Sequence, residues 1–388
     1  MNPLIRFAIS AMVATAGFAQ LVASPLESPL FEANYKPKDA IEQGLWLEMD
    51  EVERQIRASK FLIDDPELNA YVKDVLCRAV GRQKCGAARI YLLRTPQFNA
   101  AMAPNGMMLV WSGLLLRARN EAELAAVLSH EFVHFEQQHS LKSFYDIKAK
   151  SDAMAWLGFV PGGVIAQFGL MGSAMRFNRE MEKQADMAAL DYLSAGGYDP
   201  MAPSKIWEQM LGEMAVQAKE NKAASMAQEA NDFFSSHPNT RDRMEYLRAA
   251  AKRKPPSNDN GADRYRAAIA SWWPRLIDDQ VKLNDFATSE FLLESLAHGN
   301  WSADLLYARG ELYRARGKEG DLAKAEGFYR QSLAKDPLLA ASSRSLGMLL
   351  LRQGKSTEGR KILRKYLEIA PSSGDRPMIE AMTREPSK

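Results

Sequence analysis

A chain of 388 residues, 46% hydrophobic and 25% charged, has the composition of a globular protein and is long enough for two domains. That excludes a disordered or fibrous chain. With 50 Lys and Arg against 48 Asp and Glu the net charge is only +2, so nothing implies nucleic acid or another polyanion as partner.

Arg6 precedes an uncharged run from Phe7 to Ser24, and a Pro/Ser-rich stretch follows, so residues 1–24 read as a secretory signal. Gly17-Phe18-Ala19 supplies a small-x-small cleavage site with Ser24 as a fallback; an uncleaved anchor is the alternative reading. Cys77 and Cys85 are the two cysteines, and in an exported chain they read as one disulfide closing a small loop. Export and a disulfide together suggest the bacterial periplasm.

After an extended lead-in, the pattern predicts a helix over 38–60 with Leu45, Leu47 and Val52 among its apolar positions. Asp65-Pro66-Glu67 is a start signal for a second helix, running to about Val80 before a Gly81–Gly86 loop. Ala88–Thr95 reads as a strand, and Met107–Ser112 as another after the Pro104-Asn105-Gly106 turn. A small antiparallel sheet is the expectation. Its outer strand can hold an extended peptide by edge pairing; an ordinary half-buried hairpin is the equal alternative.

Asn120-Glu121-Ala122-Glu123 has the form of a capping box, and an apolar helix should follow it. That helix carries His130-Glu131-Phe132-Val133-His134. Two histidines four residues apart lie one turn apart and can reach one metal ion. Glu131 stands about 100° round the helix from His130, where its carboxylate can reach a water at that metal. Zinc suits two neutral imidazoles and, in catalytic sites, takes a third protein ligand. His139, nine residues after His130, points to the opposite side of an ideal helix and reads as structural or surface.

Residues 153–175 are uncharged and about as long as a membrane span, but Pro161-Gly162-Gly163 interrupts them. They read as a hydrophobic hairpin touching lipid or a greasy substrate, with plain core packing as the alternative. Next, Asn178-Arg179-Glu180-Met181-Glu182 opens a helix ending near Gly196-Gly197. Glu182 and Asp186, four apart, share a face. Glu182 suits the third ligand position, and Asp186 can hold a ligand histidine by its free N–H. Arg179, one turn before Glu182, can balance the carboxylates, while Glu180 points elsewhere.

HExxH, a spacer of some fifty residues, and Arg179-x-x-Glu182-x-x-Ala185-Asp186 resemble the zinc metallopeptidases of the HtpX and CAAX-prenyl-protease family, peptidase family M-48. Asn99-Ala100, Pro104-x-Gly106 and Glu121-x-Glu123-Leu124-Ala125-Ala126-Val127-Leu128-Ser129-His130 resemble that family's approach to its metal helix. The likeness covers roughly residues 38–250. It implies a gluzincin-type α+β fold, one zinc ion on His130, His134 and Glu182, Glu131 as general base and Asp186 behind the ligands. Asn178 stands where the family usually has serine. The chain lacks the several membrane spans of integral-membrane members and is more similar to the soluble periplasmic branch.

Residues 201–236 are helical and polar-rich. Ser236-His237-Pro238 resembles the family's His-Pro segment and precedes a helix from about Thr240 carrying Arg241, Arg243 and Leu247. His237 reads as a switch that blocks the water position at rest, or as a residue that steadies the oxyanion; a plain capping-turn histidine is the other reading. Residues 252–261 have the composition of a linker. Beyond it Gly310, Tyr313, Gly317, Ala325, Tyr329 and Pro337, with a few residues inserted after Gly317, then Gly347, Leu350, Gly354, Gly359, Leu363 and Pro371, follow tetratricopeptide (TPR) spacing. Gly359 departs from the expected alanine, and a plain helical bundle is the alternative. The two prolines stand one such period, 34 residues, apart. Residues 262–388 therefore read as an all-α TPR-like domain with a concave binding face, and 25–251 as the metallopeptidase domain.

The leading expectation is an exported zinc endopeptidase, with misassembled envelope or outer-membrane proteins as the substrates the resemblance implies. In that reading the tail docks substrates or outer-membrane assembly proteins. The rival is a periplasmic chaperone-like scaffold with a structural zinc; an acid placed at Glu131 argues against it.

Overall fold

A computed structural model describes residues 35–150, 177–220, 237 and 240–384. The expected signal (1–24) and hydrophobic hairpin (153–175) lie outside the described residues. No helix among the described residues is long and apolar enough to cross a membrane.

Asp39 caps Ala40–Arg57 (α1) by accepting from the backbone N–H groups of Ile41 and Glu42. Asp65 caps Pro66–Val80 (α2) in the same way, with proline in the first turn. Cys77 near the end of α2 and Cys85 in the short Arg82–Cys85 helix (α3) are joined by a disulfide. Three strands follow, Arg89–Leu93 (β1), Ala100–Met102 (β2) and Met107–Trp111 (β3), in the order β1-β3-β2.

The sheet is mixed, which corrects the expectation of an antiparallel one. β1 and β3 run parallel, with Arg89 opposite Met107 and Leu93 opposite Trp111. The Pro104-Asn105-Gly106 turn joins β3 to the three-residue β2, which pairs antiparallel with it. The chain therefore reverses twice between β1 and β3, and β3 slots in between its two predecessors. Gly106 sits in this turn at φ 88°, a conformation that disfavours a side chain.

Alternation along the strands builds two cores. Leu92, Met108 and Val110 join one cluster with Leu76 and Leu128. Leu93, Met107, Leu109 and Trp111 join another with Leu45, Val52, Ile56 and Phe144. Successive side chains face opposite sides of the sheet, so it lies between two helical layers and all of β3 is buried.

The chain continues through Ser112–Arg117 (α4), Glu121–Glu136 (α5), His139–Lys150 (α6), Arg179–Ala195 (α7), Ala202–Glu220 (α8) and Thr240–Ala251 (α9), with α6 on the α1 side of the sheet and α5 on the other. The tail comprises Ala262–Ile269 (α10), Trp273–Val281 (α11), Phe286–Ala297 (α12), Ala303–Arg316 (α13), Asp321–Lys335 (α14), Ala340–Arg352 (α15), Ser356–Ile369 (α16) and Arg376–Thr383 (α17). Small residues let the paired tail helices approach closely. A Cβ on Gly310 would run into the Tyr329 ring, and one on Gly347 into Leu363.

Residues 252–261 lack regular structure but are stitched down on both sides. Ser257 Oγ donates to the Gly197 carbonyl at 2.7 Å, and the Ala122 N–H, at the start of α5, donates to the Asn260 carbonyl at 3.0 Å. The core does not stop there. Tyr265, Ile269, Leu276, Ile277, Leu292 and Leu312 belong to the same apolar cluster as the residues around α5.

A candidate metal centre between two packed helices

Helix α5 is apolar on almost every face, and Glu121–Phe135 is buried throughout. Asn120 caps it, its side chain accepting from the Glu123 N–H at 3.0 Å. The Glu123 carboxylate reaches one residue further back than the usual capping box, to the Arg119 N–H at 2.9 Å. Thus anchored, α5 places His130, Glu131 and His134 inside the protein, 1–2% exposed. Asn178 caps α7 by accepting from the N–H groups of Glu180 and Met181, so asparagine serves where serine is usual. Glu182 and Asp186 on α7 are buried against α5.

His130, His134, Glu182 and His237 converge, one nitrogen or oxygen from each lying within 4.8 Å of all the others. The Nε2 atoms of His130 and His134 face each other at 2.9 Å. Glu182 Oε1 lies 3.4 Å from His134 Nε2 and 2.8 Å from His237 Nδ1, and its Oε2 lies 3.7 Å from His130 Nε2. His237 Nδ1 is 3.3 Å from His130 Nε2. Glu131 sits beside this group with Oε1 3.6 Å from His237 Nε2. That oxygen is buried and makes no hydrogen bond among the described residues.

A second layer holds the first. His130 Nδ1 meets Asp186 Oδ1 at 2.9 Å. Arg243 on α9 donates from Nε to Asp186 Oδ2 at 2.8 Å and from Nη2 to Oδ1 at 2.7 Å, a two-pronged pairing. Its Nη1 lies 2.8 Å from Glu182 Oε2. The guanidinium carbon stands 4.3 Å from the centre of the Trp207 ring, and the Tyr246 hydroxyl donates to Asp186. Phe177 stacks on His134 with ring centres 3.9 Å apart. His139 Nδ1 is 2.9 Å from His134 Nδ1.

Burial and charge set the protonation of the group. Burial pushes the His134 imidazole well below its ordinary range, and burial with the nearby Arg243 charge pushes His130 down. Burial likewise holds His139 at about 4. Burial works against a charged Glu182, but His237 and Arg243 outweigh it and keep that carboxylate ionised well below its usual range. Asp186 is lowered too, against burial, chiefly by Arg243. Burial raises Glu131 to about 7, against the pull of His237. Neutral imidazoles, an ionised carboxylate and an orphaned carboxylate oxygen beside them form a donor set that fits a divalent metal.

Two sequence expectations need correction. Arg179 is exposed on the first turn of α7, and the guanidinium that pairs both carboxylates is that of Arg243. His139 is buried against His134, because the helix is not continuous there: α5 ends at Glu136 and Gln138 takes a left-handed conformation at φ 56°. The signal for Arg243 was present in the sequence. It shares a helical stripe with Leu247 and Ala250, and a cation in an apolar stripe requires a buried partner.

Residues 63–251 match Peptidase family M48. Over 179 residues the chain is 30% identical to the mitochondrial metalloendopeptidase OMA1 of Schizosaccharomyces pombe, covering 45% of this chain and 50% of that protein. It is 26% identical over 176 residues to the beta-barrel assembly-enhancing protease of Escherichia coli, covering 41% and 36% respectively. The same named protease of Yersinia pestis is 26% identical over 182 residues, covering 43% and 37%. The chain thus spans half or less of the length of these relatives.

Proposed function

We propose that this chain is a zinc-dependent endopeptidase, a reading supported by the match of residues 63–251 to Peptidase family M48. The observation that supports this best is the meeting of His130, His134 and Glu182 beside the orphaned oxygen of Glu131. In this reading those three side chains hold the metal and Asp186 orients His130. A zinc ion held there supplies Lewis acidity, which makes water a better nucleophile and polarises the scissile carbonyl.

The remaining work falls to the protein. Glu131, poised near neutrality, takes the proton from the attacking water at its Oε1 and returns it to the departing amine nitrogen. Buried aromatic and apolar neighbours, Phe177 and Trp207 among them, exclude bulk water from the reacting atoms. The substrate chain pairs as an added strand along β2, one of the two edge strands of the sheet. His237, lying against Glu182 in the resting arrangement, withdraws when substrate enters and then donates to the developing oxyanion.

By likeness to the beta-barrel assembly-enhancing proteases, the substrates are misassembled envelope or outer-membrane proteins, met in the periplasm after export. Helices α13–α16, read as TPR units, dock the substrate or an assembly partner. Metal analysis together with cleavage of an unfolded protein by wild type and Glu131→Gln tests the proposal. Retained zinc with lost cleavage supports it. Equal cleavage by both proteins removes Glu131 from the mechanism.

A further inference from the structure

We propose that His139, Gln184 and Glu180 form a hydrogen-bonded relay that fixes which nitrogen of His134 carries the proton, leaving Nε2 as the donor to the metal. The inference rests on the reading of His134 as a ligand given above.

The relay is read from its outer end, where donor and acceptor roles are unambiguous. An ionised carboxylate only accepts, so the contact of 3.3 Å between Glu180 Oε1 and Gln184 Nε2 turns the amide with its nitrogen toward Glu180. Its oxygen then faces His139 Nε2 at 3.3 Å, and His139 must donate from that nitrogen. A neutral imidazole carries one N–H, so His139 Nδ1 is left as an acceptor. The partner of that nitrogen is His134 Nδ1 at 2.9 Å, which must therefore be the N–H. The lone pair of His134 is thereby placed on Nε2, facing His130 and Glu182.

The opposite tautomer reverses every bond in the chain. His134 Nδ1 would then accept from His139, and His139 Nε2 would need a donor from Gln184. The amide would have to turn its oxygen against the Glu180 carboxylate, acceptor against acceptor. Local backbone geometry makes the arrangement possible: the left-handed turn at Gln138 swings His139 back onto the ligand helix. The gradient of burial implies a gradient of effect. His139 is buried, whereas Gln184 and Glu180 are exposed, where water competes for their bonds. These are positioning residues acting through His134.

The test combines ring-nitrogen NMR with zinc affinity by chelator competition. In metal-free wild type, His134 is expected as the Nδ1–H form; finding the proton on Nε2 overturns the relay. His139→Leu removes the acceptor and should mix the two forms, with zinc affinity lowered about 10- to 100-fold. His139→Asn places an amide oxygen near the lost Nδ1 and should restore affinity to within a few-fold of wild type. His139→Leu binding zinc as tightly as wild type, or His139→Asn as weakly as His139→Leu, sinks the relay. Wild type that binds no zinc sinks instead the metallopeptidase reading, while the tautomer measurement, which needs no metal, still decides the relay.

Discussion

Arg243 and Asp186 meet through two parallel N–H···O bonds of 2.7 and 2.8 Å, both side chains buried, on helices α9 and α7. The same guanidinium reaches Glu182, so one cation compensates two of the buried acids of the site, Asp186 and Glu182. Arg243→Met should therefore strand two negative charges in the interior. Removing one partner of a buried pair costs about 3–5 kcal/mol, which denaturant unfolding of the metal-free protein will resolve. Arg243→Lys should not restore it, because an ammonium cannot bond both carboxylate oxygens in the same fork. A lysine variant as stable as wild type would show that charge alone suffices.

Asp186 also faces His130 Nδ1 at 2.9 Å. Asp186→Asn keeps the shape but weakens the acceptor that aligns the ring. Loss of such a partner typically costs about 10- to 100-fold in metal affinity, measurable against a chromogenic chelator. Unchanged affinity would mean that α5 alone orients His130.

These relationships show what was legible in the chain. The caps at Asp65 and Asn120 were, because a capping side chain acts on backbone two or three residues away. The parallel pairing of β1 with β3 was not. The intervening β2 is Ala-Ala-Met, too short and too low in β propensity to register, so the sequence pattern places the turn at Gly106 between β1 and β3 instead of between β2 and β3. An unbroken helix through Gln138 turns His139 away from the metal centre, whereas the left-handed conformation of Gln138, which no local signal announces, brings it onto His134. Proximity in sequence points to Arg179 as the cation beside Glu182, whereas the packing of α9 on α7, which no local pattern reveals, brings Arg243 there.

Glu53 provides a pH test well away from the metal centre. Burial opposes its charge, but hydrogen bonds from Arg89, Tyr91 and Arg57 win and hold its carboxyl at about 2, below the ordinary 4.5. A carboxyl depressed in the folded state stabilises the fold fully above its unfolded value, and that contribution is lost as pH falls from about 4.5 toward 2. Glu53→Gln lacks this linkage. The stability gap between wild type and Glu53→Gln should be widest near neutrality and close progressively below pH about 4.5. A gap constant from pH 7 to 2 would show that Glu53 contributes no proton-linked stability.

The tail is joined to the metal-bearing half by more than a linker. Arg117 on α4 donates to Glu213 on α8 at 2.6 Å and to Gln280 on α11 at 3.2 Å, all three buried. Arg94 pairs with Asp279 through bonds of 2.6 and 2.7 Å, and the Tyr265 hydroxyl donates to the Leu115 carbonyl behind the metal helix. A chain ending at residue 260 loses the shared apolar cluster contributed by Tyr265, Ile269, Leu276 and Leu292. Burial of each such side chain is worth about 1.5–3 kcal/mol, so their joint loss rivals the whole stability of a typical domain. That truncation should be insoluble or unfold at a much lower temperature. A chain ending at residue 320 keeps Leu305, Ala308 and Leu312, the last members of the cluster, and should retain zinc and a thermal midpoint close to that of the full chain. Calorimetry on the two truncations separates the cases. A residue-260 truncation as stable as the full chain would make the tail an appendage, whereas its collapse would make the first helices after the linker part of the metal-bearing unit.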